Sequence, residues 1–283
     1  MDSNASVNAD QTALWNGTGG RAWVVNQAAL DRMFQPFEPI LMEAVRPGAA
    51  QCVLDVGCGT GAITLAAAQR LDGGECIGLD ISGPMLAVAR ARAAQAGLPA
   101  RFIEADAQTH AFAQASVDCI LSRFGVMFFE NPVTAFTNLR QAARPGATMR
   151  VIAWRSPAEN PFMTTAERAA APLLPAIAPR QPDAPGQFAF ADRQRVGTIL
   201  AQSGWADAEI RPIDVPCVLA AQDLIGYISW LGPVGQQLRL ADDATRARIV
   251  DTVRAAFEPF VHGDEVRFVA ACWQIDARNV SRA

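Results

Sequence analysis

The sequence contains no lysine: all 24 of its basic side chains are arginines. Without an amine side chain there is no Schiff-base chemistry, including that of pyridoxal phosphate enzymes. A phosphate-binding loop ending in GK[ST] is excluded as well, as is any dehydrogenase that relies on a lysine near the nicotinamide. Histidine is nearly absent too, with only His110 and His262, far apart in the chain. A histidine-rich metal site is therefore not expected, and no metal is assigned. The six cysteines (Cys52, Cys58, Cys76, Cys119, Cys217 and Cys272) form no CxxC pair and mostly fall in apolar runs, so they read as buried, reduced thiols. No stretch approaches the roughly 20 unbroken apolar residues of a membrane span. No run of one charge sign exists, and the net charge of −4 is thinly spread, which argues against nucleic acid as the main partner. The polar start MDSNASVNADQTAL lacks the basic and apolar regions of an export signal. Residues 1–14 are expected to be a flexible tail, and the protein to be cytoplasmic.

What is present is a chain of 283 residues, 51% hydrophobic and 18% charged, enough for one large domain. A chain this long buries roughly three quarters of its unfolded surface, so it needs no disulfide or metal for stability. Residues 22–45 carry apolar positions at helical spacing, with Pro36 and Pro39 placed to break the run, and a cover helix is expected over 21–46. From residue 52 the pattern alternates. CVLDV, CIGLD, RFIEAD, VDCILS and TMRVIAW read as strands, separated by the helices ITLAAAQRL, PMLAVARARAAQAG and 131–143. Ser82 and Asn131-Pro132 supply helix starts, and Gly73-Gly74 and Gly97 supply stops. Strands joined by such helices pair in parallel through right-handed crossovers, giving a doubly wound, Rossmann-like α/β sheet covered on both faces. After Trp154 the pattern changes. Seven prolines crowd residues 156–190, so additions are expected over 156–205 and 222–262. AEIRPIDV and VRFVAACWQIDAR read as two further strands. One domain over 15–283 results.

Open α/β sheets bind ligands beyond the carboxyl ends of their strands. The residues at those ends are Asp55, Gly57, Gly59 and Gly61 after the first strand, Asp80 after the second, Asp106 after the third, and Ser122-Arg123 after the fourth. Two ligands fit a glycine loop after a first strand. A dinucleotide needs GxGxxG or GxGxxA, which Gly57, Gly59 and Ala62 satisfy weakly. S-adenosylmethionine instead lays its amino-acid moiety over the loop, where Asp55 can orient the ammonium and the glycines let the ligand close on the backbone. Both ligands want an acid after the second strand for ribose hydroxyls, and Asp80 serves. The third acid separates them, since Asp106 can accept from an adenine amino group, leaving Ala107 a backbone contact.

The motifs VLDVGCGTG, GLDIS, EADAQ, DCILSRFGVMFF and LRQAARPGATMRVIAW, in that order, resemble those of class I S-adenosylmethionine-dependent methyltransferases, over roughly residues 50–155. The small-molecule branch, including quinone C-methyltransferase-like proteins, is the most similar in style. The resemblance implies a seven-stranded, mainly parallel sheet whose last strand runs antiparallel, with helical additions. By position, Gly57 and Gly59 would line the methionine part of the cofactor, Asp80 would bind its ribose, and Ile81 and Met85 would lie against adenine. Asp106 and Ala107 would hold the adenine edge. Ser122 and Arg123 would sit beneath the methionine part, opening toward the acceptor. The segment LWNGTGGRAW resembles a helix that related enzymes fold over the cofactor, where Trp15 and Trp23 could shield a sulfonium.

The expected reaction is methyl transfer to a small, hydrophobic or aromatic acceptor, with S-adenosylhomocysteine as product. Phe124, Met127 and Phe128, together with Phe162, Phe188, Phe190 and Trp230, are candidates for the acceptor chamber; for Arg123, a substrate-pocket candidate, binding of an acidic substrate and pairing with a nearby carboxylate both stay open. No catalytic base is assigned; His262 is the one candidate, and His110 reads as structural. The scattered cysteines disfavour arsenic methylation. Two alternatives stay open: another use of the same cofactor, such as cyclisation or rearrangement, and a sensor that binds it without turnover. Oligomeric state is also open, a homodimer being compatible with the sequence.

Overall fold

The computed structural model describes residues 8–174, 181 and 184–280. Four short helices come first: α1 (Ala9–Asn16), α2 (Thr18–Val25), α3 (Gln27–Phe34) and α4 (Phe37–Met42). The alternating core follows, as β1 (Cys52–Val56), α5 (Ala62–Arg70), β2 (Glu75–Asp80), α6 (Gly83–Ala96), β3 (Ala100–Glu104), β4 (Val117–Arg123), α7 (Pro132–Ala142) and β5 (Ala143–Trp154). The remainder comprises α8 (Pro161–Ala170), α9 (Arg193–Gln202), β6 (Ala206–Ala220), α10 (Leu224–Trp230), α11 (Gly232–Leu238), α12 (Asp243–Ala256), β7 (Val261–His262) and β8 (Glu265–Arg278).

The sheet order is β3-β2-β1-β4-β5-β8-β6, with the two-residue β7 pairing β8 as an eighth strand. The first five strands pair in parallel, whereas β8 runs antiparallel to both β5 and β6. Strand order reverses between β1 and β4, which places the glycine loop and the ends of both strands at the crevice. The central strands are apolar on both faces because helices cover both: Val53, Leu54, Ile120, Leu121, Val151 and Ile152 are at most 1% exposed. The helix starts read from the sequence are built as expected. Ser82 Oγ accepts from Met85 N (3.4 Å) and Asn131 Oδ1 accepts from Thr134 N (3.0 Å), each followed by proline in the first turn.

Three boundaries differ from the sequence reading. Helix α1 begins inside the stretch expected to be a tail, whose residues 1–7 lie outside the described part. This helix has no buried residue and hence no apolar periodicity to betray it. Polar bonds hold it instead: Asn16 Nδ2 donates to Ile81 O (2.8 Å), Gly83 N to Asn16 Oδ1 (3.0 Å) and Ser82 Oγ to Trp15 O (2.6 Å). The cover expected over 21–46, with breaks at Pro36 and Pro39, is three helices interrupted at Asn26 and at Gln35-Pro36, and Pro39 lies within α4. Strand β6 runs past Val215 through Pro216, because it lies at the sheet edge, where a proline's missing N–H breaks no ladder. Part of the expected addition over 156–205, residues 175–180, 182 and 183, also lies outside the described residues.

Candidate cofactor and acceptor site

A cavity of about 420 Å³ opens at the carboxyl ends of the strands. Its floor is Asp55, Leu79-Asp80, Asp106, Arg123 and Trp154, the ends of five successive strands or the residues just beyond them. Its roof is made by α1–α3, and one side by α8, α10 and α11, which contribute Met163, Tyr227, Trp230 and Val234.

One end is polar. Asp80, 6% exposed, accepts from Gly59 N through Oδ2 (2.8 Å) and from Ser82 N through Oδ1 (2.9 Å). Burial raises its carboxyl to about 6, against the lowering effect of those backbone donors. Asp106 accepts from Gln108 N through Oδ1 (2.8 Å) and from Asn8 Nδ2 through Oδ2 (3.2 Å). Asn8 is held in turn by its own N–H, which donates to Glu130 Oε2 (2.6 Å), while its buried Oδ1 has no donor. A buried acceptor without a partner is costly unless a ligand supplies the donor. Ile81, Met85 and Ala107 line this same end.

The glycine loop joins that end to the middle. Gly57, Gly59 and Gly61 all adopt positive φ (67°, 55° and 87°), a region that disfavours any side chain. Their surroundings differ. A Cβ on Gly57 would meet Gly125 Cα at 2.6 Å, and one on Gly61 would meet Ala89 Cβ at 2.9 Å; one on Gly59 would find only Met85 Sδ at 3.8 Å. Gly59 is thus the loop glycine that leaves room at the cavity. Asp55, 1% exposed, accepts from Thr64 Oγ1 (2.7 Å), and burial lifts its carboxyl to about 6 despite the Thr64 hydroxyl and the charge of Arg123.

The other end is aromatic. Trp15 meets Phe128 edge to face at 5.0 Å, Trp23 stacks on Phe34 at 6.3 Å, and Phe124 stacks on Trp154 at 4.6 Å. All six line the cavity, as do Met127 and Trp230.

Of the residues singled out in the sequence, Ser122 and His262 are not on the cavity wall. Ser122 Oγ donates to Val56 O (2.7 Å) and accepts from Gly125 N (3.1 Å), which ties the loop after β4 to the end of β1. His262 is exposed in β7, where it pairs with Glu265 of β8, and does not line the cavity. The aromatics divide likewise. Phe162 stacks on Phe268 at 3.9 Å and Phe190 on Phe136 at 6.0 Å, both in the hydrophobic core, and Phe188 packs against that core. His110 sits edge-on to Phe112 away from the cavity. Sequence reading missed Asn8, Trp154, Met163, Tyr227 and Arg239. Trp154 could have been found as the end of a fifth strand; the others carry no local signal.

Comparison with known proteins bears on this geometry. Residues 53–146 match a family described as a methyltransferase domain. An uncharacterized protein of Mycobacterium tuberculosis is 36% identical over 156 residues, 54% of this chain and 56% of its own length. A demethylmenaquinone methyltransferase of Thermus thermophilus is 34% identical over 110 residues, 39% of this chain and 50% of its own. The chain thus spans about half the length of these curated relatives. Among solved structures, the YcgJ protein of Bacillus is similar with a TM-score of 0.58 at 17% identity, covering 86% of this chain and 98% of that one. The glycine loop and the strand-end acids Asp55, Asp80 and Asp106 all lie within the stretch that matches a methyltransferase domain.

Proposed function

We propose that the protein transfers a methyl group from S-adenosylmethionine to a small, apolar or aromatic acceptor. One observation carries this reading: a single cavity is acidic and hydrogen-bonding at one end and aromatic at the other, with the glycine loop between them. The fit to the cofactor rests on the donor set. Asp80 retains lone pairs for the two ribose hydroxyls. Asp106 and the unpartnered Asn8 Oδ1 together offer two acceptors to an adenine amino group, which has two N–H donors. Gly59 leaves open the space that an amino-acid chain needs. When bound, the cofactor supplies a sulfonium methyl that moves to the acceptor as the C–S bond breaks, leaving S-adenosylhomocysteine.

The chain's own residues bind, orient and exclude water. Trp15 and Trp23, carried on the roof helices α1 and α2, offer aromatic faces to a cation in the cavity. The aromatic end desolvates an acceptor and holds it for in-line approach, which can supply much of the acceleration. No histidine reaches the cavity, so an acceptor that is already nucleophilic suits this site. The similarity to demethylmenaquinone methyltransferases makes aromatic quinols the first acceptors to try.

Calorimetric titration with S-adenosylhomocysteine and with NADH, followed by assay of S-adenosylhomocysteine release from a panel of quinols and phenols, tests the reading. Tight binding of the first ligand and acceptor-dependent release are expected. Cofactor binding without release would instead indicate a sensor. Acceptor conversion with the cofactor unconsumed would indicate cyclisation or rearrangement.

A further inference from the structure

The cavity wall contains a guanidinium that the protein leaves largely unused. Arg123 ends β4, and among the described residues its one hydrogen bond runs from Nη1 to Phe34 O at 3.3 Å. No described carboxylate lies within ion-pair distance of it. Other arginines in the fold differ. Arg92 pairs with Asp31 at 2.6 Å, Arg150 with Asp276 at 2.6 Å and Arg155 with Glu159 at 2.6 Å. The charges that Arg123 feels from Asp31, Asp55 and Glu38 act across longer distances, and two of these acids are engaged elsewhere, by Arg92 and by Thr64.

Its setting is half-buried and aromatic. The guanidinium carbon stands 5.7 Å from the centre of the Phe34 ring, and that ring meets Phe124 at 5.3 Å and Trp154 at 6.1 Å. Removing a cation from water without a counter-ion is costly, and burial pulls the Arg123 pKa below the ordinary arginine range. An anion brought to such a site is bound more strongly than one in water.

The backbone supplies a second, independent observation. Phe124 has φ +66°, a left-handed conformation that bulky residues avoid. Consecutive side chains of a strand point to opposite faces. The turn at Phe124 ends that alternation, and Arg123 and Phe124 both reach the cavity wall while Ser122 does not. Strain of this kind gathers where a site requires it.

We propose that Arg123 is the anion receptor of this cavity, taking up the carboxylate or phenolate oxygen of a small molecule whose remainder is apolar and lies against Phe34, Phe124 and Trp154. The inference rests on the proposed use of the cavity and narrows its acceptor to an ionisable aromatic or hydrophobic acid. The carboxylate at the amino-acid end of the cofactor is the other source of the same chemistry.

The test uses Arg123→Met, which keeps length and removes charge, and Arg123→Lys, which keeps charge and removes the planar fork. Binding of 2-naphthoate and of 2-naphthamide is measured by calorimetry, with and without saturating S-adenosylhomocysteine. S-adenosylhomocysteine itself is compared with 5′-methylthioadenosine, which lacks the amino-acid end. Wild type is expected to prefer the acid over its amide by about tenfold or more. Arg123→Met should erase that preference while leaving S-adenosylhomocysteine affinity within about threefold, and Arg123→Lys should retain part of it. Should Arg123→Met instead weaken S-adenosylhomocysteine about tenfold and spare 5′-methylthioadenosine, the receptor serves the cofactor's carboxylate. The proposal is overturned if wild type and a folded Arg123→Met variant handle both pairs alike. If Arg123→Met does not fold, a wild type that ignores the acid, together with an Arg123→Lys variant unchanged toward S-adenosylhomocysteine, overturns it equally. Loss of S-adenosylhomocysteine binding by wild type would sink the cofactor reading alone, because the naphthoate comparison is also run without that ligand.

Discussion

Gly57 and Gly125 touch backbone to backbone, so that a Cβ on Gly57 would stand 2.6 Å from Gly125 Cα and one on Gly125 would stand 2.5 Å from Val56 O. The loop after β1 and the loop after β4 interlock there, and Ser122 Oγ fastens them through Val56 O and Gly125 N. Gly57→Ala therefore meets both a positive φ and a clash that no side chain can relieve. It is expected to cost about 2–4 kcal/mol, read as a fall of several degrees in melting temperature. Gly59→Ala has the same sign of φ but open space, so it should cost only about 1–2 kcal/mol while weakening cofactor binding more than stability. A Gly57→Ala variant as stable as Gly59→Ala would contradict the interlock.

Asp80 does two things at once: it holds the backbone N–H groups of Gly59 and Ser82, and it faces the cavity. Asp80→Ala should lower S-adenosylhomocysteine affinity by roughly 10–100-fold and also reduce stability by about 1–3 kcal/mol. Calorimetry below the melting transition separates the two. An affinity within twofold of wild type would remove Asp80 from the ligand contacts.

The pH dependence has a definite sign. Burial raises Asp55 and Asp80 from 3.8 in each case to about 6, so between these limits the folded chain holds protons that the unfolded chain releases. Their contribution to stability is therefore present at low pH and lost as pH rises through about 6. The ligand-free protein should melt about 3–8 °C higher at pH 5 than at pH 7 from this source. S-adenosylhomocysteine binding should move the other way, weakening below pH 6 as Asp80 ceases to be a full acceptor. Asp80→Asn should flatten the melting profile; an unchanged slope would assign it to other groups.

Asn8 joins helix α1 to Asp106 and keeps a buried oxygen free. Asn8→Ala should leave the melting temperature nearly unchanged and reduce S-adenosylhomocysteine affinity about 3–10-fold. Hydrogen exchange should show α1 opening more readily in the variant with ligand bound. Equal protection in both proteins would place the ligand's amino group elsewhere.

The site was legible wherever it sits at the end of a regular strand. Asp55, Asp80, Asp106 and Arg123 could be placed because a short β-branched run followed by a helix pattern fixes where each strand stops. The loop glycines were legible as a group, but the sequence could not say that Gly57 and Gly61 are hemmed in by neighbouring atoms while Gly59 has room beside it. That distinction depends on Gly125 and Ala89, which approach only in the folded sheet. Ser122 lies off the cavity wall for a related reason: strand alternation turns it to the sheet face opposite Arg123, and Val56 O takes its hydroxyl. The phenylalanines of the additions could not be sorted between core and cavity, because Phe162 and Phe190 obey the same apolar pattern as residues that line the wall.

Period and punctuation along the chain determined the α/β class, the parallel core and the acids at its edge, since these follow from short-range backbone preference and from which faces must leave water. The absence of lysine and the scarcity of histidine likewise fixed, before any folding, which chemistries the chain could not perform. Only tertiary structure decided that α1 roofs the cavity, that His262 is exposed, and that no described carboxylate pairs with Arg123. Each depends on groups brought together from distant parts of the chain, where polar contacts and close backbone approach leave no periodic trace.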